Sequence, residues 1–118
     1  MVEPRVVTRD ELRALIAARA EYVLVDVREA EELVHGMIPT AVHLPLSEIK
    51  NAVALAPTKF FARYGFVLPR DERVILYCRS GARSTKAATY LCSIGFPAEN
   101  FKGSVLAWSE IDPAVRAH

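Results

Sequence analysis

The sequence predicts an α/β fold, a mainly parallel central sheet with helices on both faces, in a single domain over residues 1–118. Three observations lead there. "YVLVDV" (22–27) and "RVILYC" (73–78) are short, β-branched runs too apolar to face water on either side, as central parallel strands are. The segments around them repeat apolar residues at helical spacing between recognisable starts and stops. Strands that alternate with helices in this way are joined by crossovers and pair in parallel.

Each element follows in order. Thr8-Arg-Asp-Glu11 matches a capping box, and Leu12, Leu15 and Ile16 continue at helical spacing, so a helix is expected over 9–19. After the strand at 22–27, "REAEELVHG" (28–36) reads as a short helix stopped by Gly36, and "AVHLP" (41–45) as a brief strand closed by Pro45. Ser47 can cap a helix running to about Leu55, and Pro57 opens "PTKFFARYG", which ends at Gly65. The strand at 73–78 is followed by small and apolar residues at helical spacing from Ala82 to Ile94, with Gly95 ending the run. A last strand is expected at 98–101 and a last helix near 104–111.

Composition narrows the function. The net charge of +1 and the absence of basic runs give no case for nucleic acid, and no apolar stretch is long enough for a membrane span. The opening residues lack an apolar h-region and carry acidic side chains, and the chain has two cysteines, Cys78 and Cys92; a cytoplasmic, reducing setting is expected. His35 and His43 have no matching cysteine or carboxylate spacing, so no metal site and no cofactor are expected. Ten residues of helix separate Cys92 from Ala82, about 15 Å at 1.5 Å per residue, so Cys92 is read as a packing residue and not as a disulfide partner of Cys78.

The stretch "LYCRSGARS" (76–84) carries the chemistry. In open parallel sheets ligands gather beyond the carboxyl ends of the strands. Cys78 lies at one such end and Asp26–Arg28 at another. Gly81 permits a tight path on which successive amides from Arg79 through Ser80, Gly81 and Ala82 to Arg83 turn inward as an anion-holding nest. The helix start adds partial positive charge, and Arg79 and Arg83 add whole charges. A free thiol with a pKa of about 8.5 is only slightly ionised near neutrality; lowering it by roughly two units makes the thiolate dominant. The loop therefore reads as a device for keeping a nucleophilic sulfur charged and for attracting an anion to it.

At this point the sequence resembles the single-domain rhodaneses, or thiosulfate sulfurtransferases, over nearly its whole length. "LVDVREAEELVHGMIPTAVHLP" (24–45) is similar to the family's first signature, "CRSGARS" to its active-site loop, and "LCSIGFPAENFKGSVLAW" (91–108) to its closing segment. Met37, Thr40 and Ser104 depart from the histidine, glycine and second glycine common at those places. "GSVLAW" and "FFARYGFVLP" resemble a subgroup related to eukaryotic thiosulfate sulfurtransferases. Cys78 and Arg83 enclose four residues, whereas the related dual-specificity phosphatases and arsenate reductases have five; the residue at that longer spacing is Ser84, which has no guanidinium.

The resemblance implies a rhodanese-like domain that moves a sulfane sulfur from thiosulfate or a persulfide donor, through a persulfide on Cys78, to cyanide, glutathione, thioredoxin or another thiol. The competing class is a noncatalytic rhodanese-like binding module, against which the retained Cys78, Arg79 and Arg83 argue. Arg79 and Arg83 are candidates for holding the donor anion, Arg83 with the alternative of a structural bond to loop carbonyls or a carboxylate. Asp26 is expected to support the site by accepting loop or helix-start amides. Arg28 either lines the pocket mouth or pairs with Glu32. Trp108 is expected, by resemblance, to pack beside the loop, with a plain core role as the alternative; Phe60, Phe61, Tyr64 and Phe66 read as core, with a pocket wall as the alternative.

Overall fold

The computed structural model describes residues 3–116. Its elements in chain order are β1 (Arg5–Val6), α1 (Arg9–Ala18), β2 (Tyr22–Asp26), a 3-10 helix (Ala30–His35), β3 (Val42–His43), a 3-10 turn (Leu46–Glu48), α2 (Ile49–Val53), α3 (Pro57–Tyr64), β4 (Arg73–Tyr77), α4 (Ala82–Ser93), β5 (Ala98–Asn100) and α5 (Ser104–Trp108). The five strands form one sheet in the order β1-β5-β4-β2-β3, with every pairing parallel. This is the α/β architecture the alternation predicts.

Period-two alternation along β2 and β4 sends side chains to two separate core layers. Val25, Val74, Leu76 and Cys78 face the layer built with Ile49, Ala52, Phe60, Ala87 and Leu91 from α2, α3 and α4. Leu24, Ile75 and Tyr77 face the other, built with Leu12 from α1 and Val105 and Trp108 from α5. The register of β4 therefore points the Cys78 side chain toward α4. The Thr8–Glu11 capping box forms, with the Thr8 hydroxyl accepting the Glu11 amide and the Glu11 carboxylate accepting the Thr8 amide.

Four expectations change. Ser47 caps no helix: it lies in the 3-10 turn with its hydroxyl donating to Glu29, and α2 runs only from Ile49 to Val53. β1 was not anticipated, because both of its residues are solvent-exposed and leave no apolar alternation to read. The segment 28–36 forms a 3-10 helix only from Ala30. Arg28 is instead drawn back to Asp26, and Glu29 begins the helix by capping with Glu32. Phe61, expected as core, is 55% exposed, while Phe60 is buried edge-on against Phe66.

The link from β2 to β3 is organised around a buried charge pair. The Arg28 guanidinium donates to both Asp26 carboxylate oxygens, with Nη2 2.7 Å from Oδ2, and the Arg28 amide donates to Asp26 Oδ1 at 3.0 Å. Its remaining hydrogens reach the carbonyls of Gly36 (2.8 Å) and Glu32 (3.4 Å). Burial works against the guanidinium's charge, but the bonds and field of Asp26 outweigh it and hold its pKa above the ordinary value. Asp26 and Arg28 are 0% and 2% exposed, so each is the other's charge compensation. Removing one partner of such a pair costs about 3–5 kcal/mol. Asp26→Ala should therefore lower unfolding stability by about that amount, read as a shift in the urea midpoint with an unchanged slope.

Candidate active site

The site is built where β4 ends. Cys78 is the first residue past that strand, and the chain turns through Arg79 and Ser80 to Gly81, which caps α4 with φ of 100°. A Cβ at Gly81 would collide with the Lys102 carbonyl, so both the left-handed backbone and the close approach require glycine.

Two sets of anchors hold the outside of this loop. The Cys78 and Arg79 carbonyls accept from the Val105 and Leu106 amides at 3.1 and 3.0 Å, at the start of α5. The Gly81 carbonyl accepts from the Thr85 amide (3.0 Å), the Thr85 hydroxyl (2.7 Å) and the Ser84 hydroxyl (3.2 Å). Asn100 donates to the Thr85 hydroxyl in turn, at 2.9 Å. Because the C=O and N–H of one peptide plane point in opposite directions, anchoring the Arg79 carbonyl outward turns the Ser80 amide, its plane partner, toward the sulfur. The amides converge on sulfur: Gly81 N lies 3.1 Å and Ser84 N 3.4 Å from Cys78 Sγ, and the Ser84 hydroxyl stands at 3.6 Å.

Burial pushes the Cys78 thiol upward. The Ser84 hydroxyl and the amides of Ser84, Gly81 and Ser80 outweigh that effect, and the thiol's pKa lies below its ordinary value. Peptide dipoles and one hydroxyl thus do the work that the sequence reading had shared with guanidinium charge. Arg83 is engaged elsewhere. It forms a two-pronged ion pair with Glu32, one prong Nη2 to Oε2 at 2.8 Å, which is the carboxylate alternative weighed from the sequence. The Arg83 contact, against a modest cost of burial and with help from the Glu29 amide, lowers the Glu32 pKa to about 2.

Other expected residues fall in different places. Arg28 neither lines the mouth nor pairs with the Glu32 carboxylate, since its fork is filled by the nearer buried carboxylate of Asp26. Asp26 accepts one loop amide, that of Arg28, and spends its other bonds on the guanidinium. Trp108 packs on the opposite face of the sheet from the Cys78 side chain, edge-on to Phe101, with its indole donating to Asp112 at 3.0 Å. It steadies α5, whose first amides grip the loop. Ala82 is exposed at the first turn of α4, Ser80 is exposed on the loop, and Arg79 is half-buried. Cys78 itself is 1% exposed, so the sulfur is enclosed. Cys92 is half-buried against the core with its sulfur on the Ala98 carbonyl, and both cysteines are free thiols.

Two residues the sequence reading passed over matter here. Ser84 was weighed only as a missing guanidinium, yet it supplies both an amide and a hydroxyl to the sulfur. Ser104 accepts the Cys78 amide at 3.1 Å, donates to the Phe101 carbonyl at 2.9 Å, and lies 3.9 Å from Sγ. Its φ of 55° is left-handed, a strain of about 1–3 kcal/mol offset by these bonds. The signal was present: a serine in place of a glycine at a position that needs this backbone.

Residues 8–111 match the rhodanese-like domain family. The chain is 37% identical to human thiosulfate:glutathione sulfurtransferase, over 88% of this chain and 92% of the human protein. It is 42% identical, over 75% of its length, to a Schizosaccharomyces pombe mitochondrial protein named for thiosulfate sulfurtransferase, and spans 63% of that longer protein. Among solved structures, human single-domain sulfurtransferase TSTD1 superposes with a TM-score of 0.85 at 34% identity, covering 94% of this chain and 99% of that one. The chain belongs to the rhodanese-like domain family. Its activity class is catalytic sulfur transfer.

Ser84→Ala removes the hydroxyl from the thiolate and leaves the amides in place. The pH midpoint for iodoacetamide alkylation of Cys78 should move upward, and the rate at neutral pH should fall severalfold, because the hydroxyl, which accepts from the thiol and donates to the Gly81 carbonyl, can turn its hydrogen to the sulfur once it is charged.

Proposed function

We propose that Cys78 is the nucleophile of a two-step sulfur transfer, and that the protein acts as one domain in a cytoplasmic, reducing compartment where its thiols stay unbridged. The observation that carries this reading is the convergence of the Gly81 and Ser84 amides and the Ser84 hydroxyl on Cys78 Sγ. In the first step the Cys78 thiolate attacks the outer sulfur of thiosulfate. The S–S bond of the donor breaks, sulfite leaves with the electron pair, and a persulfide anion remains on Cys78. The inward amides hold that anion as an oxyanion hole would. In the second step an acceptor nucleophile attacks the outer sulfur, and the electron pair returns to Cys78 as thiolate. Cyanide leaves as thiocyanate, and a thiol leaves as its persulfide. Two half-reactions on one covalent intermediate give ping-pong kinetics.

Glutathione and thioredoxin are the thiol acceptors we assign, and persulfides join thiosulfate as donors. The human relative's name, thiosulfate:glutathione sulfurtransferase, supports the first acceptor. No helix among the described residues is long and apolar enough to cross a membrane. Ser80, Gly81 and Ala82 supply backbone to the anion, Arg79 meets the donor at the loop rim, and Arg83 keeps the helix start in place through Glu32. Asp26, Arg28 and Trp108 support the site through the folded frame.

Mass spectrometry after incubation with thiosulfate should show one added sulfur that cyanide removes. Cys78→Ser should lose both the adduct and thiocyanate formation; retention of either would overturn the reading. Arg79→Ala should raise the thiosulfate KM severalfold with little change in the urea midpoint, and an unchanged KM would remove Arg79 from donor binding.

A further inference from the structure

Beside the catalytic loop, a cavity of about 610 Å³ lies between α4 and the segment formed by the 3-10 turn and α2. Its size falls within the range of small-molecule sites, about 300–1,000 Å³. Ile49, Ala87 and Tyr90 give it an apolar floor, and Lys50 and Lys86 stand along it, with the Lys50 ammonium 5.5 Å from the centre of the Tyr90 ring. No acidic side chain lines it. At one end the Ser47 hydroxyl donates at 3.1 Å to the carboxylate of Glu29, the residue that caps the 3-10 helix three positions before Glu32.

This groove adjoins the catalytic loop through Thr85, which lines it and whose hydroxyl donates to the Gly81 carbonyl. On α4 the residues Arg83, Lys86, Ala87 and Tyr90 follow at i, i+3, i+4 and i+7 and share one face. That face starts at Arg83, next to Ser84 on the sulfur, and ends on the groove floor. The charge pattern along it is two ammonium groups over an apolar bed, with one carboxylate at the end. A γ-glutamyl peptide thiol of the glutathione type carries the complement: two carboxylates, one ammonium and a central thiol.

We propose that this α2–α4 groove is the binding site for glutathione as sulfur acceptor, with Lys50 and Lys86 meeting its two carboxylates and Glu29 its ammonium. The proposal rests on the sulfur-transfer reading above. The acceptor's thiolate then attacks the outer sulfur of the Cys78 persulfide, the S–S bond to Cys78 breaks with its electron pair returning to Cys78, and glutathione persulfide departs. Cyanide, too small to use the groove, takes the same sulfur without it.

The test compares the two acceptors on the full chain. Exposed ion pairs contribute modestly, so Lys50→Gln and Lys86→Gln should each raise the glutathione KM about two- to five-fold. In the double variant the ratio of glutathione to cyanide kcat/KM should fall about tenfold. Glutathione monoethyl ester, short of one carboxylate, should show a raised KM in the unmutated protein and a smaller response to the lysine changes. S-methylglutathione, which has no thiol to react, should shift the amide resonances of Ile49, Ala87 and Tyr90. An unchanged ratio in the double variant, or a fall seen with thioredoxin and not with glutathione, would overturn the groove assignment. Failure of the unmutated protein to make thiocyanate would overturn the sulfur-transfer reading instead, and the S-methylglutathione shifts would still decide the groove.

Discussion

The chemistry of this protein depends on backbone amides held against one sulfur. Cys78, Arg79 and Gly81 give their oxygens to Val105, Leu106 and Thr85, which fixes the path of the loop whose Ser80, Gly81 and Ser84 amides bond the sulfur. Sulfur is a diffuse acceptor, and no single contact at 3.1–3.6 Å would overcome the cost of burying its charge. Several fixed dipoles do so because the loop needs no reorganisation when charge appears. Fold and function meet here: β4 delivers the sulfur, α4 and the loop aim donors at it, and α5 holds the loop still.

The frame around the loop is stabilised by charges kept away from the reaction. Arg28 is consumed by Asp26, and Arg83 by Glu32, so two nearby guanidinium groups act as structural ties. Glu32 keeps its charge down to a pH of about 2, well below the ordinary carboxylate range. A group with so depressed a folded pKa contributes stability above its unfolded pKa of about 4.5, and that contribution disappears as pH falls toward 2. The tie from Glu32 to the start of α4 therefore persists from neutral pH well into the acidic range.

Much of this was legible along the chain, and the remainder was not for identifiable reasons. The strands at β2 and β4, the helix after the loop, Cys78 and the need for Gly81 are local features, written in contiguous residues. Partnerships across the fold are not. Ser104 lies 26 residues from Cys78, and Glu32 lies 51 from Arg83, so neither bond has a sequence signature. Arg28 was misassigned because helical spacing to Glu32 competed with a buried carboxylate two residues upstream, and in a dry interior the carboxylate wins. β1 was invisible because an edge strand of two exposed residues has no pattern.

That brevity at the margins has its own consequence. Both outer strands, β1 and β3, are two residues long, which offers an incoming chain almost no free ladder to zip onto. Polypeptides that dock here must do so on side chains, helix flanks and loop rims. The sheet is thereby insulated from strand-swapping and fibrous association at both of its margins.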